Sequence, residues 1–307
     1  MPPITVTVPA STANLGPGFD CIGAALTLYN QFKFTCLDSR EPEGVRITVT
    51  GTEAPLVNLN ADNLVYQTFL KYYQYLNQTP PSVEIAIELG VPLARGLGSS
   101  ATAIVGGLVG ANQLAGDPLN QIELMNLAIA LEGHPDNVVP ALLGGCRLAA
   151  KGEETNNWEI CDIPWHTELL PVVAIPNFEL STQAAREVLP NDYSRGDAIF
   201  NIAHFGLLLR GLATGRGEWL QAALQDRIHQ PYRKTLIPGY DTVAAAAVAA
   251  GAYGMVISGA GPTLLALVPS SQATAVATAM ATAWQKEGVT AQVQTFSVDT
   301  QGTRWSK

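Results

Sequence analysis

One loop constrains the fold of this chain more than any other segment. It consists of Pro92, Leu93, Ala94, Arg95, Gly96, Leu97, Gly98, Ser99, Ser100 and Ala101. The alternating residues 83–89 before it predict a strand, and the small residues after it predict a closely packed helix. Two glycines let the loop turn its backbone N–H groups inward, and the helix N-terminus adds the positive end of its dipole. The segment therefore predicts a cradle for a polyphosphate, with Ser99 and Ser100 available to phosphate or magnesium.

This loop differs from the common lysine-containing phosphate loop. The pattern G-x-x-x-x-G-K-[ST] is absent, and no lysine occurs between Lys71 and Lys151. Arg95 is therefore the only cation inside the loop. An alternative without a ligand stays open, in which the segment is a tight turn and Ser99 caps the helix.

Strand-like and helix-like segments interleave along the chain without a strict β-α-β rhythm, which favours an α+β fold. Strands are predicted at residues 4–10, 28–37, 45–50, 83–89, 144–150, 172–175, 255–258, 263–268 and 289–296. Helices are predicted at residues 62–78, 99–116, 181–189, 197–214, 217–225, 240–251 and 271–286, and in a helix that Asp117 caps and that ends at Gly133.

The clearest change of composition lies around residues 151–160, where the chain becomes polar (KGEETNNWE). Polar, flexible segments are typical of domain boundaries. The sequence therefore predicts a nucleotide-binding domain at residues 1–150 and a second domain at residues 151–307 that completes the substrate site.

The charge of the chain excludes one class of partner. The 307 residues include 17 basic and 26 acidic side chains, and the net charge of -9 has the wrong sign for binding a phosphate backbone over a broad surface. No segment approaches the roughly 18 uninterrupted apolar residues of a membrane span, and no signal-peptide pattern is present. Four cysteines without a C-x-x-C pair predict neither a zinc site nor a disulfide framework. We therefore expect a cytoplasmic protein with no nucleic-acid or membrane partner.

Four segments together resemble the GHMP kinases, the family that includes galactokinase, homoserine kinase and mevalonate kinase. They are VPASTANLGPGFD at residues 8–20, the loop at residues 92–101, EGHPDNVVPALLGG at residues 132–145 and SGAGPTLLAL at residues 258–267. Their order and spacing are similar to the homoserine kinase branch. The resemblance implies a two-domain α+β fold, in which an N-terminal domain with a left-handed β-α-β unit meets a ferredoxin-like C-terminal domain at the active-site cleft.

The resemblance also implies an activity. Members of the homoserine kinase branch transfer the γ-phosphoryl group of ATP to the hydroxyl of L-homoserine and give O-phospho-L-homoserine in threonine biosynthesis. We therefore expect an ATP- and Mg²⁺-dependent phosphotransferase with L-homoserine and ATP as its small-molecule partners. Similar enzymes are often dimers, so a homodimer is compatible with the resemblance.

The nucleotide site follows from the same resemblance. Magnesium prefers oxygen ligands and keeps several waters, so it needs few protein ligands. The resemblance assigns this role to Ser100 and Glu132, gives the phosphates to residues 92–101, and gives the nucleoside to Asn63. Without the resemblance, Glu132 would be an exposed acid at a helix end and Asn63 the cap of the next helix.

An amino-acid substrate offers a carboxylate, an ammonium group and a hydroxyl, so its pocket needs arginine, an acid and a polar positioning group. The resemblance assigns the carboxylate to Arg186 and Arg233. It makes Asn14 and Asp20 substrate contacts, with Asp20 for the ammonium group, and His134 matches the substrate-site histidine of the family. Without the resemblance, these would be exposed arginines, turn-forming residues and a polar loop histidine.

The chemistry of the reaction does not demand a strong base, because phosphoryl transfer relies mainly on positioning and electrostatic stabilisation. The resemblance gives Asn137 the task of orienting the reacting hydroxyl, and Asn14 joins the catalytic group. We expect in-line attack on the γ-phosphorus, with the proton passing late to the phosphate. Asp136 as general base is the less favoured alternative, and an N-cap pair of Asp136 and Asn137 is the interpretation without a ligand.

Two other functions stay open. A GHMP kinase for another small alcohol, such as an isoprenoid precursor, would not require Asp20. The mevalonate kinase branch carries an N-terminal lysine, however, whereas this chain has none before Lys33. A non-catalytic metabolite sensor of the family would not need to keep Ser100 and Glu132.

Overall fold

The computed structural model describes residues 2–37, 44–153 and 157–307. Within these ranges the chain forms a seven-stranded sheet and a four-stranded sheet, each packed against helices. The strands are β1 (Ile4–Ala13), β2 (Ile22–Cys36), β3 (Val45–Thr50), β4 (Val83–Glu88), β5 (Cys146–Lys151), β6 (Trp158–Ile163), β7 (Leu169–Pro176), β8 (Gly254–Ile257), β9 (Leu264–Pro269), β10 (Ala291–Thr295) and β11 (Arg304–Ser306). The α+β expectation is confirmed.

α-Helices separate many of these strands along the chain. They are α1 (Leu64–Tyr75), α2 (Ser99–Leu114), α3 (Gln121–Glu132), α4 (Pro135–Leu143), α5 (Thr182–Glu187), α6 (Arg195–Thr214), α7 (Gly217–Ala223), α8 (Gln230–Arg233), α9 (Tyr240–Ala249) and α10 (Ala273–Lys286). In the ranges that the structure describes, none of them combines the length and the apolar character that a membrane span requires.

The first sheet has the strand order β11-β1-β2-β4-β3, and β5 pairs with both β2 and β6. Its neighbours are antiparallel except β3 and β4, which run parallel with Val45 opposite Val83. The helix α1 connects these two strands. This β3-α1-β4 unit is therefore where the family resemblance predicts a left-handed crossover.

The first strand is longer than the alternation of residues 4–10 predicts. It continues to Ala13, and its register against β2 shifts between Pro9 and Ala10. A proline lacks the backbone N–H for the ladder, so it suits the position of a bulge. The loop that follows is therefore confined to residues 14–21.

The second sheet has the order β10-β7-β9-β8, and all its neighbours are antiparallel. Two helices pack on one face of it, α9 through Val243 and Ala247 and α10 through Met280 and Trp284. In the chain, helices separate β7 from β8 and α10 separates β9 from β10. This is the β-α-β-β-α-β order of a ferredoxin-like domain, so that expectation is confirmed.

The helix α2 packs closely on the first sheet because it carries glycines where aromatic rings lie. A Cβ atom added at Gly106 would meet the ring of Phe32, and one added at Gly110 would meet the ring of Phe34. Both rings are buried in the apolar cluster that the first sheet forms with α1, α2, α3 and α4. The prediction of a small-residue helix close to its neighbours is confirmed.

A second apolar cluster lies between the two sheets. It joins Ala10 and Leu26 of the first sheet to Val173 and Leu265 of the second, with Leu208 of α6 beside them. Burial of apolar surface is the main favourable term in such packing. Residues from both halves of the chain therefore share this second apolar cluster.

The change from the first sheet to the second does not fall at the predicted boundary between residues 150 and 151. The strands β5 and β6 form an antiparallel hairpin in the first sheet, with Lys151 opposite Trp158. Residues 154–156 of the polar segment lie outside the described residues. The predicted boundary thus falls inside the pairing of β5 with β6, and the second sheet begins with β7. The strand β11 returns to the first sheet beside β1.

The helix α3 begins later than the sequence predicts. Its N-cap is Asn120, whose side chain accepts a hydrogen bond from the backbone N–H of Glu123, while the Glu123 side chain accepts one from the N–H of Asn120. Asp117 instead has a φ of 65°, and its carboxylate accepts hydrogen bonds from Asn112 and Gln113. Asp117 as the cap is therefore wrong, because the reciprocal capping box three residues later fixes the helix start.

We expect Gly110→Ala to destabilise the fold by about 1–3 kcal/mol, because its methyl group would enter space that the Phe34 ring occupies. The matched control is Gly206→Ala in α6, where an added Cβ meets nothing within 4 Å. That change should stabilise the protein by about 0.5–1 kcal/mol through helix propensity. Urea unfolding measures both values. Equal stability of Gly110→Ala and the parent would contradict the close packing of α2.

Candidate active site

A cavity of about 120 Å³ lies where the loop before α2 meets residues 259–261. The predicted site residues that line it are Asn14, Asp20, Ala94, Arg95, Gly96, Gly98, Ser99, Ser100, Glu132, His134, Asp136, Asn137, Arg186 and Arg233. Four predicted loop residues do not line it. Leu97 and Ala101 are buried in the apolar cores, and Pro92 and Leu93 line neighbouring cavities. The structure thus brings together residues from both halves of the chain.

The loop before α2 has the backbone of an anion cradle. Ala94, Gly96 and Gly98 have positive φ values of 49°, 77° and 67°. Gly98 is the N-cap of α2, and no side chain of the described residues caps this helix start. Ser99 is the first helical residue and not the cap, so the interpretation as a capped turn is wrong. The N–H groups at the start of α2 are therefore available to an anion.

Three segments distant in sequence meet behind this loop. The Ser258 Oγ donates to the carbonyl oxygen of Gly96 at 2.7 Å and lies 2.9 Å from the Thr12 Oγ1. The backbone N–H of Ser11 donates to the carbonyl oxygen of Leu97 at 3.1 Å. The sequence alone assigns no role to these three hydroxyl residues. Their presence in the recognised motifs was the available signal, but the motifs do not say which atoms they contact.

Arg95 is fastened beside the cavity by several partners. Its Nε donates to the carbonyl oxygen of Pro176 at 3.1 Å, and its Nη1 donates to that of Leu93 at 3.0 Å. Its guanidinium group also lies 3.5 Å from Glu53 and 3.4 Å from Glu179. These contacts fix the loop from outside, so the guanidinium group is engaged with protein atoms on several sides.

Ser100 and Glu132 form an oxygen pair at the cavity. The Ser100 Oγ donates to the Glu132 Oε2 at 2.9 Å, and burial raises the pKa of the Glu132 carboxyl. Hydroxyl and carboxylate oxygens are the donors that a small divalent cation prefers. Among the described residues, no group of three or more histidine, cysteine or acidic side chains could hold a metal. A cation here would therefore complete its shell with water and phosphate oxygens.

Asn63 is the N-cap of α1. Its Oδ1 accepts from the backbone N–H of Val65 at 3.0 Å, and its Nδ2 donates to the carbonyl oxygen of Asn58 at 2.7 Å. It also lines a second cavity of about 430 Å³, which adjoins the first at Ser99 and Ser100. The amide is thus engaged in capping, and contact with a nucleoside stays a prediction.

A second group of residues that line the cavity carries opposite charges. Arg186 and Asp20 form a bidentate ion pair with N–O distances of 2.9 and 3.1 Å. Arg233 is buried, and its Nη1 donates to the carbonyl oxygen of Gly259 at 3.1 Å. Asn14 donates to the same oxygen at 2.8 Å and accepts from the backbone N–H of Asp20 at 2.9 Å. The four predicted residues therefore form one connected group.

His134, Asp136 and Asn137 also line the cavity. His134 Nδ1 is 2.6 Å from the Asp136 carboxylate, and this contact raises the pKa of His134. Asn137 Nδ2 donates to the same carboxylate at 3.4 Å, and Asn137 Oδ1 accepts from the Ser11 hydroxyl at 2.9 Å. The Asp136 carboxylate is thus already paired. The N-cap residue of α4 is His134, so Asp136 and Asn137 do not cap this helix.

Comparisons with known proteins give the class of this fold and site. The family described as GHMP kinases N terminal domain matches residues 63–145, and the one described as GHMP kinases C terminal matches residues 208–286. The chain therefore belongs to the GHMP kinase family and is an ATP-dependent small-molecule kinase.

Individual proteins of this family are similar to the chain over nearly its whole length. A protein of Microchaete diplosiphon named homoserine kinase is 71% identical over 97% of this chain and 96% of its own length. A homoserine kinase of Trichodesmium erythraeum is 66% identical over 99% and 98%. The crystal structure of homoserine kinase from Cytophaga hutchinsonii matches with a TM-score of 0.88 and 31% identity, over 99% of this chain and 97% of that one.

We expect Gly96→Ala to destabilise the fold by about 2–4 kcal/mol and to weaken ATP binding at least about tenfold. Gly96 has a positive φ, and an added Cβ would meet the carbonyl oxygens of Ser258 and Gly261. The control Gly116→Ala has a φ of +90° but open space, and should cost about 1 kcal/mol. Urea unfolding and ATP titration calorimetry measure the two effects. Equal losses in both variants would contradict the tight docking of the loop.

We expect His134→Gln to change how stability depends on pH. The hydrogen bond to Asp136 raises the pKa of His134 in the folded protein. The contribution of this pair to the free energy of unfolding is therefore fully present below the pKa of an unfolded histidine, about 6.5, and is lost as the pH rises through the pKa of the folded state. The parent should therefore exceed His134→Gln in unfolding free energy by more at about pH 5.5 than at about pH 8.5. His204→Gln is the control, because His204 contacts a backbone carbonyl. A difference that grows with pH would refute the pairing.

Proposed function

We propose that this chain is a homoserine kinase, which transfers the γ-phosphoryl group of ATP to the hydroxyl of L-homoserine and gives O-phospho-L-homoserine for threonine biosynthesis. One observation carries the proposal. One cavity is lined both by an anion cradle and by an acid beside two arginines. The names and identities of the relatives support the same conclusion.

The charges around Asp20 suit a zwitterion. Asp20 would take the ammonium group, and Arg186 and Arg233 would take the α-carboxylate. In the structure, Asp20 and Arg186 are paired with each other. An amino acid brings both opposite charges, so it can replace this ion pair without leaving either group unpartnered. A neutral alcohol cannot replace the pair, because it has no charges to offer. Asp20 and Arg186 would then either stay paired with each other or be separated and buried without a charged partner.

The nucleotide would bind at the anion cradle. The N–H groups of residues 96–101 would hold the phosphates, and the second cavity beside Asn63 would take the nucleoside. Ser100 and Glu132 fit Mg²⁺ through their oxygen donors, and the ion would neutralise charge on the β- and γ-phosphates when bound. A proton on Glu132 would compete with the ion, and burial raises the pKa of that carboxyl.

Positioning explains the rate acceleration better than a strong base does. Asn137 and Asn14 would orient the hydroxyl for in-line attack, while His134 contributes to the substrate wall. Asp136 is buried, and its Oδ1 lies 2.6 Å from His134 Nδ1, which favours a role in holding the imidazole over a role as general base. The proton would therefore pass late to the transferred phosphate. Arg95 would support the cradle through its contacts with Glu53 and Pro176, in addition to any direct contact with a phosphate.

Other parts of the proposal rest on the sequence. The cytoplasm as location, the lack of nucleic-acid and membrane partners, and a homodimer stay predictions. The two competing functions also remain distinct. A kinase for another small alcohol would leave the Asp20–Arg186 pair without a substrate role, and a metabolite sensor would leave the Ser100–Glu132 pair without one.

We expect ADP release from ATP and Mg²⁺ with L-homoserine, and much slower release with D-homoserine, L-serine, L-threonine or mevalonate. Asp20→Asn should raise KM for L-homoserine at least about tenfold and leave KM for ATP within about twofold, since it removes the ammonium partner. Coupled ADP assays measure all of these rates.

The competing functions predict other results in the same assay. Selective turnover of mevalonate would assign the chain to another branch of the family. ATP binding without turnover of any alcohol would favour the sensor. Asp241→Asn is the matched control, because Asp241 pairs with Lys234 on the surface and should leave both KM values unchanged.

A further inference from the structure

The loop that carries Asn14 and Asp20 has a strained backbone. Asn14, Leu15, Gly16 and Asp20 have φ values of 72°, 45°, 82° and 58°. Only glycine adopts this left-handed region without cost, so such a segment persists where surrounding contacts hold it. The contacts that hold this loop therefore decide where the Asp20 carboxylate lies.

His229 supplies one of those contacts. It is fully buried, and its Nε2 lies 2.9 Å from the carbonyl oxygen of Gly16. A carbonyl oxygen only accepts, so Nε2 carries the hydrogen. The Nδ1 atom is buried and has no partner in the described part of the chain. An apolar side chain would avoid that cost, so packing alone does not account for a histidine here.

The turn before α8 fixes the backbone of His229. The Asp226 carboxylate accepts hydrogen bonds from the backbone N–H groups of His229 and Gln230 at 2.8 and 2.6 Å. It also accepts one from the Asn201 side chain at 2.7 Å. Burial lowers the pKa of His229, which favours the neutral imidazole. A rigid, neutral donor thus points at the strained loop.

Phe19 links this histidine to both arginines of the cavity. Its ring stacks on the imidazole of His229, with centroids 5.1 Å apart and planes at 21°. The guanidinium carbon of Arg233 lies 4.9 Å from the Phe19 centroid, and that of Arg186 lies 5.8 Å from it. Guanidinium groups are attracted to aromatic faces at these distances. One ring therefore contacts the neutral imidazole and both cations.

We propose that His229 and Phe19 are positioning residues for the amino-acid substrate. His229 holds the loop through Gly16 and supports the ring of Phe19, and that ring fixes where Arg186 and Arg233 present their guanidinium groups. Neither His229 nor Phe19 lines the cavity, so both act through other residues. This inference rests on the proposed function, because it assigns the two arginines to the substrate carboxylate.

The first test separates the hydrogen bond from the ring. His229→Phe keeps an aromatic ring but removes the donor to Gly16, so KM for L-homoserine should rise about tenfold while KM for ATP changes less than about twofold. His229→Gln returns an N–H donor and should recover most of that loss. His204→Gln lies away from the cavity and is the control. If His229 only stabilised the fold, its replacement would change the KM values for L-homoserine and ATP alike.

The second test uses Phe19, which is partly exposed and tolerates substitution better than a buried residue. Phe19→Leu removes the aromatic face and should raise KM for L-homoserine about fivefold, whereas Phe19→Tyr keeps the face and should recover most of the loss. Thermal unfolding checks that each variant is folded. These variants decide the question even if His229→Phe does not fold.

The outcomes distinguish the two proposals. No turnover of L-homoserine by the parent chain would defeat the proposed function, and this inference with it. If the parent turns over L-homoserine, an unchanged KM for it in Phe19→Leu, or an equal rise in both KM values, overturns the inference alone. A selective rise in KM for L-homoserine, with recovery in the tyrosine and glutamine variants, supports it.

Discussion

The hydrogen bonds of Ser258 are the constraint on which the site depends. This buried hydroxyl joins Thr12 at the end of β1 to Gly96 in the loop before α2. Most buried polar groups in folded proteins are hydrogen-bonded, so these contacts favour the one arrangement of the three segments in which Ser258 is satisfied. Beside this contact, the carbonyl oxygen of Gly259 accepts from both Asn14 and Arg233. The cavity therefore exists only when the two halves of the chain are docked, and the apolar cluster between the sheets holds them there.

Much of the fold could be predicted from local patterns. The alternation at residues 45–50 predicts β3 with its correct first and last residues, and the small residues after the loop at residues 92–101 predict α2. The strands β6 and β11 and the short helices α4 and α8 are not among the predicted elements. β6 and β11 are held by partners in the first sheet, and α8 follows a turn that Asp226 organises, so neither periodicity nor length reveals them. The end of β1 was missed because a bulge at Pro9 interrupts the alternation.

The candidate site was predictable in its members but not in its contacts. The family resemblance pointed to Asn14, Asp20, His134 and both arginines, and the residue types suit the chemistry of an amino-acid substrate. No local pattern shows that Asp20 pairs with Arg186 across 166 positions. Likewise, Arg95 is a cation in a phosphate loop by sequence, yet its guanidinium group contacts distant carbonyl and carboxylate oxygens. Long-range pairing is a property of the folded chain, and a single sequence does not record it.

The strand β11 has a consequence for how this protein is made. Residues 304–306 close the edge of the sheet at β1, and the preceding residues Asp299 and Thr303 form backbone hydrogen bonds with Gly145, just before β5, and with Leu142 in α4. During synthesis on a ribosome, β1 emerges nearly 300 residues before this partner. Its outer edge is thus unpaired by β11 throughout translation of the second half. The first sheet reaches its complete form only after translation of the second sheet, so the two halves finish folding together.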